Sequence, residues 1–455
     1  MRFILDFIYL LTAAAVAPCL LYRAIRYKRY RTGWAHRFGR IIRTDAALKK
    51  CIWLHAVSVG EVNATPTIVK ELQNRFGDFE ILISTTTDTG FARATALYGQ
   101  NHTVVYFPLD FSWIIRRAFR NIQPAICLLM ELEVWPNFVD TAQRLAIPVV
   151  VVNGRITHRS FSRYRKISPI AGKIFRKVTL ILAQTEEYAR RFEGIGTPSD
   201  RVVVTGSLKY DTAQITDTVE GAAFLWEQLN IGSERLWVAG GTGPGEEKIL
   251  LEVYRNLTQQ NNFGDLRLVI VPRKPERFDE VAQLIIEAGF DLVRYSSIKN
   301  ANAPLSDKIP VTLGDSPPRH SERNEVERRI SKQAVILGDT MGDLRKFYSL
   351  AAIVFVGRSL VPMGGSDMIE AVALGKCTIF GPHTFNFKQT INALLKGNGA
   401  IEVKDETELL EAMQECLSEP DFAERIAQNG RDVIRKNQGA TAKTIDRIEQ
   451  FLNPT

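Results

Sequence analysis

Cysteine and histidine are scarce in this chain, and they are scattered. Cys19, Cys51, Cys127, Cys377 and Cys416 form no CxxC pair and no Cys/His spacing. An odd, dispersed set of this kind argues for reduced thiols and against a zinc module or a disulfide framework. The six histidines are dispersed too, so nothing resembles a metal cluster, and no Ser/His/Asp triad spacing is apparent. Internal repeats and low-complexity tracts are absent. Acid is in deficit: 50 Asp and Glu face 58 Lys and Arg, a net charge of +8. That balance suits a partner of negative surface, either nucleic acid or anionic lipid.

Position decides between these two, because much of the excess charge follows an apolar stretch at the N-terminus. Residues 3–22, FILDFIYLLTAAAVAPCLLY, carry Asp6 as their only charge. That length matches about one bilayer span. Arg23, Arg26, Lys28, Arg29 and Arg31 follow it, against Arg2 before it, and the positive-inside bias places the body of the protein in the cytoplasm. A cleaved signal peptide ending near AAAVAP is the alternative, but basic flanks normally precede the apolar region of such peptides. Asp6 and Pro18 weaken the span, so a helix lying in the membrane interface is also open.

At 455 residues, 45% of them apolar, the chain is too long for one ordinary core, and two domains are expected. Short apolar runs at 52–57, 80–84, 104–107, 125–130, 148–152, 180–183 and 202–205 alternate with helical stretches. The pattern restarts at 236–240, 266–271, 334–337, 353–356 and 377–380. These are strands of parallel sheets covered on both faces, in two α/β units joined near 211–220. Residues 296–332 turn polar and read as a long surface loop or insertion. Residues 421–452 read as two helices. In such sheets ligands bind beyond the carboxyl ends of the strands, so the residues just after each strand come first.

HAVSVGEVNATP puts Glu61 just past a strand, in the first turn of an expected helix, with apolar Val62, Pro66, Ile68, Val69 and Leu72 following. ELEVWPN places Glu131, Glu133, Trp135 and Asn137 after another strand. Taken alone this is a capped helix start; with Glu61 it makes a paired-carboxylate site. VTGSLKYD offers Lys209 in a turn. WVAGGTGPGEE sets Gly240, Gly241, Thr242, Gly243 and Gly245 between strand and helix, where backbone N–H groups can hold an oxyanion or phosphate. No GK[ST] follows, so it is not a phosphate loop of the Walker type. Arg273 after a strand can clamp a phosphate or carboxylate. GDTMGD, Gly357-Arg358, Gly364-Gly365-Ser366-Asp367, Glu370, His383 and Asn386 add loop residues consistent with a nucleotide or nucleotide-sugar site.

WLHAVSVGEV, PAICLLMELEVWPN, GRITHRS, VTGSLKYD, VPRKPERF, LGDTMGDL and GPHTFNF occur in order and at matching spacing. With them the chain resembles the Kdo transferases (3-deoxy-D-manno-octulosonic acid transferases, glycosyltransferase family 30) over nearly its whole length. The resemblance implies a GT-B glycosyltransferase fold, two Rossmann-like α/β domains facing across a cleft, with an N-terminal membrane-anchor helix. The expected division is 1–35 for anchor and basic flank, 36–215 for the acceptor domain, 216–425 for the CMP-sugar domain and 426–455 for C-terminal helices. It implies inverting transfer of Kdo from CMP-Kdo to a lipid A precursor (lipid IVA) at the cytoplasmic face of the inner membrane. It implies that neither a metal nor another cofactor nor a nucleic acid takes part. Glu61 would be the general base, its charge favoured by the helix dipole. Glu131 and Lys209 would assist the transition state. Pro272, Arg273, Met341, Gly342, Asp343, Asp367, Met368, Ile369 and Glu370 would bind the CMP donor.

The chain departs from the family pattern twice, both times in the donor half. Gly243 stands where a His is usual, and Ser366-Asp367 replaces His-Asn. Three alternatives follow: transfer of a different CMP-activated ulosonic acid, a non-catalytic lipid-binding protein, or a nucleotide-sugar epimerase on the same fold. Arg155, Arg159, Arg163 and Arg165 read either as a hold on the acceptor's phosphates or as a solvated helix face.

Overall fold

The computed structural model describes residues 2–26, 32–43, 49–259, 263–301 and 334–452. Lys28, Arg29 and Arg31, and the insertion from 302 onward, lie outside the described residues. The chain forms two compact units, Met1–Thr212 with Asn437–Thr455, and Ala213–Lys436.

The first unit holds β1 (Lys50–His55), β2 (Phe79–Thr85), β3 (Thr103–Tyr106), β4 (Pro124–Met130), β5 (Val149–Gly154), β6 (Leu180–Ala183) and β7 (Val202–Val204). They lie in the order β3-β2-β1-β4-β5-β6-β7, and the paired strands run parallel. Side chains alternate between the two faces of a strand, and both faces here are covered. Cys51 and Trp53 pack with Phe119 and Phe138, while Ile52 and Leu54 pack on the other side with Ile68 and Leu72. Continuous burial along the strand explains why the sequence reads as an unbroken apolar run.

The second unit holds β8 (Arg235–Thr242), β9 (Leu266–Pro272), β10 (Leu292–Arg294), β11 (Val335–Leu337), β12 (Ile353–Val356), β13 (Cys377–Phe380) and β14 (Ile401–Glu402). Their order is β10-β11-β9-β8-β12-β13-β14. In each sheet the chain winds one way from its first strand and then the other. The order therefore reverses between β1 and β4 in one sheet and between β8 and β12 in the other. Those two points are where loops diverge and leave room for a ligand.

Several expectations need correcting. The helix expected to run on from Glu61 is two, Val59–Asn63 and Pro66–Arg75. Pro66 has no N–H to continue the ladder, so the second helix starts at it. Residues 295–301 form a helix where a loop was expected, and the Ser296 N–H is held by Asp339 at 2.7 Å. The edge strands β10 and β14 have no counterpart in the sequence reading. The N-terminal helix runs Arg2–Arg26 through Pro18, but among the described residues no helix is long and apolar enough to cross a membrane.

The C-terminal helices do not form a pair of their own. Pro420–Asn437 belongs to the second unit but for its last residue, and Ala440–Leu452 belongs to the first. Ala440, Ile445, Ile448 and Leu452 are buried in the same cluster as Ile52, Leu54 and Leu128. Asp211 fastens the return of the chain, accepting the N–H groups of Gly439 and Thr441.

Ile448 is fully buried. Ile448→Ala is expected to destabilise the first unit by about 2–4 kcal/mol. Hydrogen exchange should then quicken at β1 and β4 and stay unchanged at β8 and β9.

Candidate functional site at the carboxyl ends of the strands

Glu61 follows β1 at the reversal point of the first sheet. It is the third residue of helix Val59–Asn63, whose N-cap is Ser58. The Ser-x-x-Glu spacing is that of a capping box, in which the carboxylate reaches back over the helix start. Here Oε2 accepts the Val57 N–H at 2.9 Å and Oε1 accepts the Ser58 hydroxyl at 3.2 Å. The loop itself is pinned from β2: the Thr86 and Thr87 N–H groups both donate to the Val57 carbonyl. Gly90 leaves space for this contact, since a Cβ there would lie 3.0 Å from that carbonyl oxygen.

Burial pushes the Glu61 carboxyl up to about 7, the charges of Glu131 and Glu133 push the same way, and the Val57 and Ser58 hydrogen bonds oppose them. The helix-dipole argument of the sequence stands reversed in its net effect. A five-residue helix has a weak dipole end, and desolvation outweighs it. His55, the last residue of β1, is not a competing acid. Burial pushes its imidazole down to about 3, and the neutral ring stacks on Phe107.

Glu131 follows β4, the strand beside β1. Its N–H donates to the Val152 carbonyl of β5 at 2.9 Å, and its φ of 54° lies in the left-handed region. A non-glycine residue held there at a strand end is a mark of functional sites. Glu133 is raised by burial and by the Glu131 charge, and the Trp135 indole N–H, 2.9 Å away, opposes this.

Lys209 follows β7, three strands away from β4 in the sheet order. Asn153 brings its turn back toward the centre. From the end of β5, Asn153 Oδ1 accepts the Leu208 N–H at 3.1 Å, which opens the four-residue helix Leu208–Asp211 carrying Lys209. Asn153 also has a positive φ, 56°, and its carbonyl accepts from the Gln184 amide. Sequence reasoning passed over it. A lone Asn after a strand of valines is the one available signal, because Asn tolerates the left-handed region and caps helices.

In the second unit the glycine-rich turn after β8 already holds an anion, supplied by the chain itself. The Glu246 carboxylate accepts the N–H groups of Gly243, Arg358, Ser359 and Leu360 at 2.9, 2.5, 2.7 and 2.9 Å. Burial pushes this carboxyl up and the four N–H groups oppose that. The turn after β8 is thus locked to the turn after β12, across the reversal point of the second sheet.

The residues matched to donor binding divide by accessibility. Arg273, Met341, Gly342, Asp367 and Glu370 are exposed, whereas Pro272, Met368 and Ile369 are buried. The side chains of these last three serve the core. Arg273 lies near enough to Glu370 to affect its charge. Loss of hydration and the Asp367 charge push the Glu370 carboxyl up, and Arg345 and Arg273 oppose them; its exposed surface tempers the effect. Asp367 Oδ1 accepts the Ile369 N–H at 3.0 Å, so this acid ties down the turn that leads into the helix Ile369–Ala373. Asp343 is engaged within the unit. Burial works against its charge, but Lys299, Lys346 and Thr340, at 2.7, 2.9 and 2.7 Å, hold its carboxyl below the usual range.

Comparison with known proteins matches residues 32–212 to the family model "3-Deoxy-D-manno-octulosonic-acid transferase (kdotransferase)". A 3-deoxy-D-manno-octulosonic acid transferase of Haemophilus influenzae is 32% identical, over 94% of this chain and 93% of its own. One from Bordetella pertussis is 29% identical over 98% and 99%. Among solved structures, a glycosyltransferase from Rickettsia africae matches 90% of this chain and 100% of its own at a TM-score of 0.56. At 14% identity that likeness speaks for the fold alone.

The raised Glu61 carboxyl has a consequence for stability. Its cost is absent below the ordinary carboxylate range, grows as the pH rises toward about 7, and is constant above that. Glu61→Gln, which mimics the protonated form, is therefore expected to raise Tm at pH 8 and to leave it unchanged at pH 4. A matching gain at both pH values in thermal unfolding would contradict this.

Proposed function

The chain belongs to the 3-deoxy-D-manno-octulosonic acid (Kdo) transferase family and is an enzyme of that family, and from this premise we propose an inverting transfer of Kdo from CMP-Kdo to lipid IVA, a lipid A precursor. The observation that carries the proposal is Glu61 at the reversal point of the first sheet, with its carboxyl pushed up to about 7. A base whose proton affinity lies near the operating pH is well matched to its task. Glu61 takes the proton of the acceptor hydroxyl as that oxygen forms its bond to the anomeric carbon. The bond from that carbon to the phosphate oxygen breaks, and CMP leaves with the electron pair. The transition state resembles an oxocarbenium ion, as in glycoside hydrolysis. Glu131 offsets the positive charge growing at the anomeric carbon, and Lys209 offsets the negative charge of the Kdo carboxylate and the departing phosphate.

The second unit holds the donor, with Arg273, the exposed turn Met341-Gly342 and the Asp367–Glu370 turn as its contacts. Three of the matched residues, Pro272, Met368 and Ile369, shape those turns from within. Asp343 keeps Lys299 and Lys346 in place. The chemistry runs on side chains alone, with no metal or other cofactor. Helix Arg2–Arg26, apolar over much of its length, holds the enzyme at the cytoplasmic face of the inner membrane, lying in the interface. Arg159, Arg163 and Arg165 on helix His158–Lys166 meet the acceptor's phosphates; each such charge contributes about 1 kcal/mol near an anionic surface. A different CMP-activated ulosonic acid is the second reading. Ser366 and Asp367 favour it, since they stand in the donor half where His-Asn is usual.

The test is CMP release from CMP-Kdo with a tetraacylated lipid A precursor. Release that needs the acceptor, rises with pH to a plateau above about 7 and survives EDTA is expected. Glu61→Gln should lower kcat by about 10²–10⁴-fold. Release only from another CMP-ulosonic acid would replace the donor assignment. Joint replacement of Arg159 and Arg163 by Ala should raise KM for the lipid and leave KM for CMP-Kdo unchanged.

A further inference from the structure

Asp6 is the only acidic residue of helix Arg2–Arg26, and an anchor has no use for it, since a carboxylate opposes insertion into lipid. The structure gives it partners in the body of the first unit. Oδ1 accepts the Ser112 N–H at 2.9 Å and the Asn137 Nδ2–H at 3.0 Å, and Oδ2 accepts the Ser112 hydroxyl at 2.5 Å. Ser112 opens helix Ser112–Ile122, whose own N-cap residue, Phe111, makes no side-chain cap bond. Asp6 supplies that cap from another element.

One turn along, Tyr9 repeats the arrangement. Its hydroxyl donates to Asp110 Oδ2 at 3.1 Å, and its ring meets Phe111 edge-on at 5.9 Å. Asp110 is buried and accepts the N–H groups of Asn137 and Phe138 at 3.0 and 2.8 Å. These open helix Pro136–Arg144. The Asn137 amide also donates to the Asp110 carbonyl at 2.6 Å. Asn137 is therefore gripped by two aspartates, one of them on the N-terminal helix. Beyond Tyr9 the helix stands away from the body: residues 10–19 are exposed, Leu10 by 60% and Leu11 by 55%.

Asn137 is one end of the segment that carries Glu131 and Glu133. The other end is pinned by the Glu131 N–H on the Val152 carbonyl. A segment fixed at both ends holds its carboxylates in one geometry, and small misplacements at a reacting centre are costly in rate. We infer that Asp6 is a positioning residue: through Asn137 the N-terminal helix holds the 131–137 segment in register for transfer, in addition to any role at a lipid surface. This rests on the transfer reading above, with Glu131 in its assigned place.

The experiment uses the full chain with Asp6→Leu, Asp6→Asn and Tyr9→Phe. Leu makes the helix more apolar, so binding to vesicles of phosphatidylethanolamine and phosphatidylglycerol is kept or strengthened. We expect kcat for CMP release to fall by about tenfold nonetheless, with KM for CMP-Kdo unchanged. Asn restores kcat, because its amide oxygen accepts from Ser112 and Asn137 while its amide nitrogen donates to the Ser112 hydroxyl. Tyr9→Phe, which removes a single hydroxyl, lowers kcat in the same direction by less. Amide hydrogen exchange at 131–138, read without substrate, should quicken in Asp6→Leu and not in Asp6→Asn. Wild-type kcat with tight vesicle binding in Asp6→Leu, or unaltered exchange at 131–138, overturns the inference. A wild type that releases no CMP would sink the transfer reading alone, and the exchange experiment would still decide whether Asp6 holds the segment.

Discussion

Hydrogen bonds from backbone N–H groups to buried or half-buried carboxylates hold the carboxyl edges of both sheets. A parallel sheet sets where its loops begin but not where they go. Glu246 gathers four N–H groups from two turns, Asp110 gathers two from a helix start, and Glu61 takes one from its own loop. Each such bond to an ionised acceptor is stronger than a neutral one. Each also fixes backbone rather than a side chain, so whatever the turn carries is placed with it. Removing one of these acids leaves buried donors without a partner, at a cost of about 1–3 kcal/mol per group.

Glu61 and Glu246 show the two uses of this device. Glu246 is satisfied by four donors and serves structure. Glu61 has two donors and two neighbouring acids that disfavour its charge. The first arrangement is stable, and the second is poised. Stability is given up at Glu61 for a proton affinity suited to catalysis, and the left-handed backbone of Glu131 is strain of the same kind next door.

The central strands were legible because burial on both faces leaves an unbroken apolar signature. Leu180–Ala183, Ile353–Val356 and Cys377–Phe380 match the sequence reading residue for residue. β10 and β14 were not, since Leu-Val-Arg and Ile-Glu are too short and end on a charge, whereas the equally short edge strand β7 is three valines and shows as an apolar run. The carboxylates of the site were visible from their place after strands. The sign of the Glu61 shift was not, because it depends on how deeply the loop sits and on the nearness of Glu131 and Glu133. Asn153, Asp110 and Asp6 act on residues 27 to 131 positions away, and no local pattern announces such partners. Asp6 read as a flaw in an apolar run, and its purpose depends on a serine and an asparagine far along the chain.

The return of the chain at Asn437 into the first unit bears on biosynthesis. A growing chain exposes residues 1–212 long before Ile445, Ile448 and Leu452 leave the ribosome. Until then the face of β1 and β4 that this last helix covers lacks its apolar partners, while everything the second unit needs has already been made. Domains generally fold as they emerge, so here the order is inverted: the later unit finishes first, and the earlier one waits for residues 440–452. A chain cut short just before residue 440 would thus have a second sheet that is whole and a first that is open to aggregation.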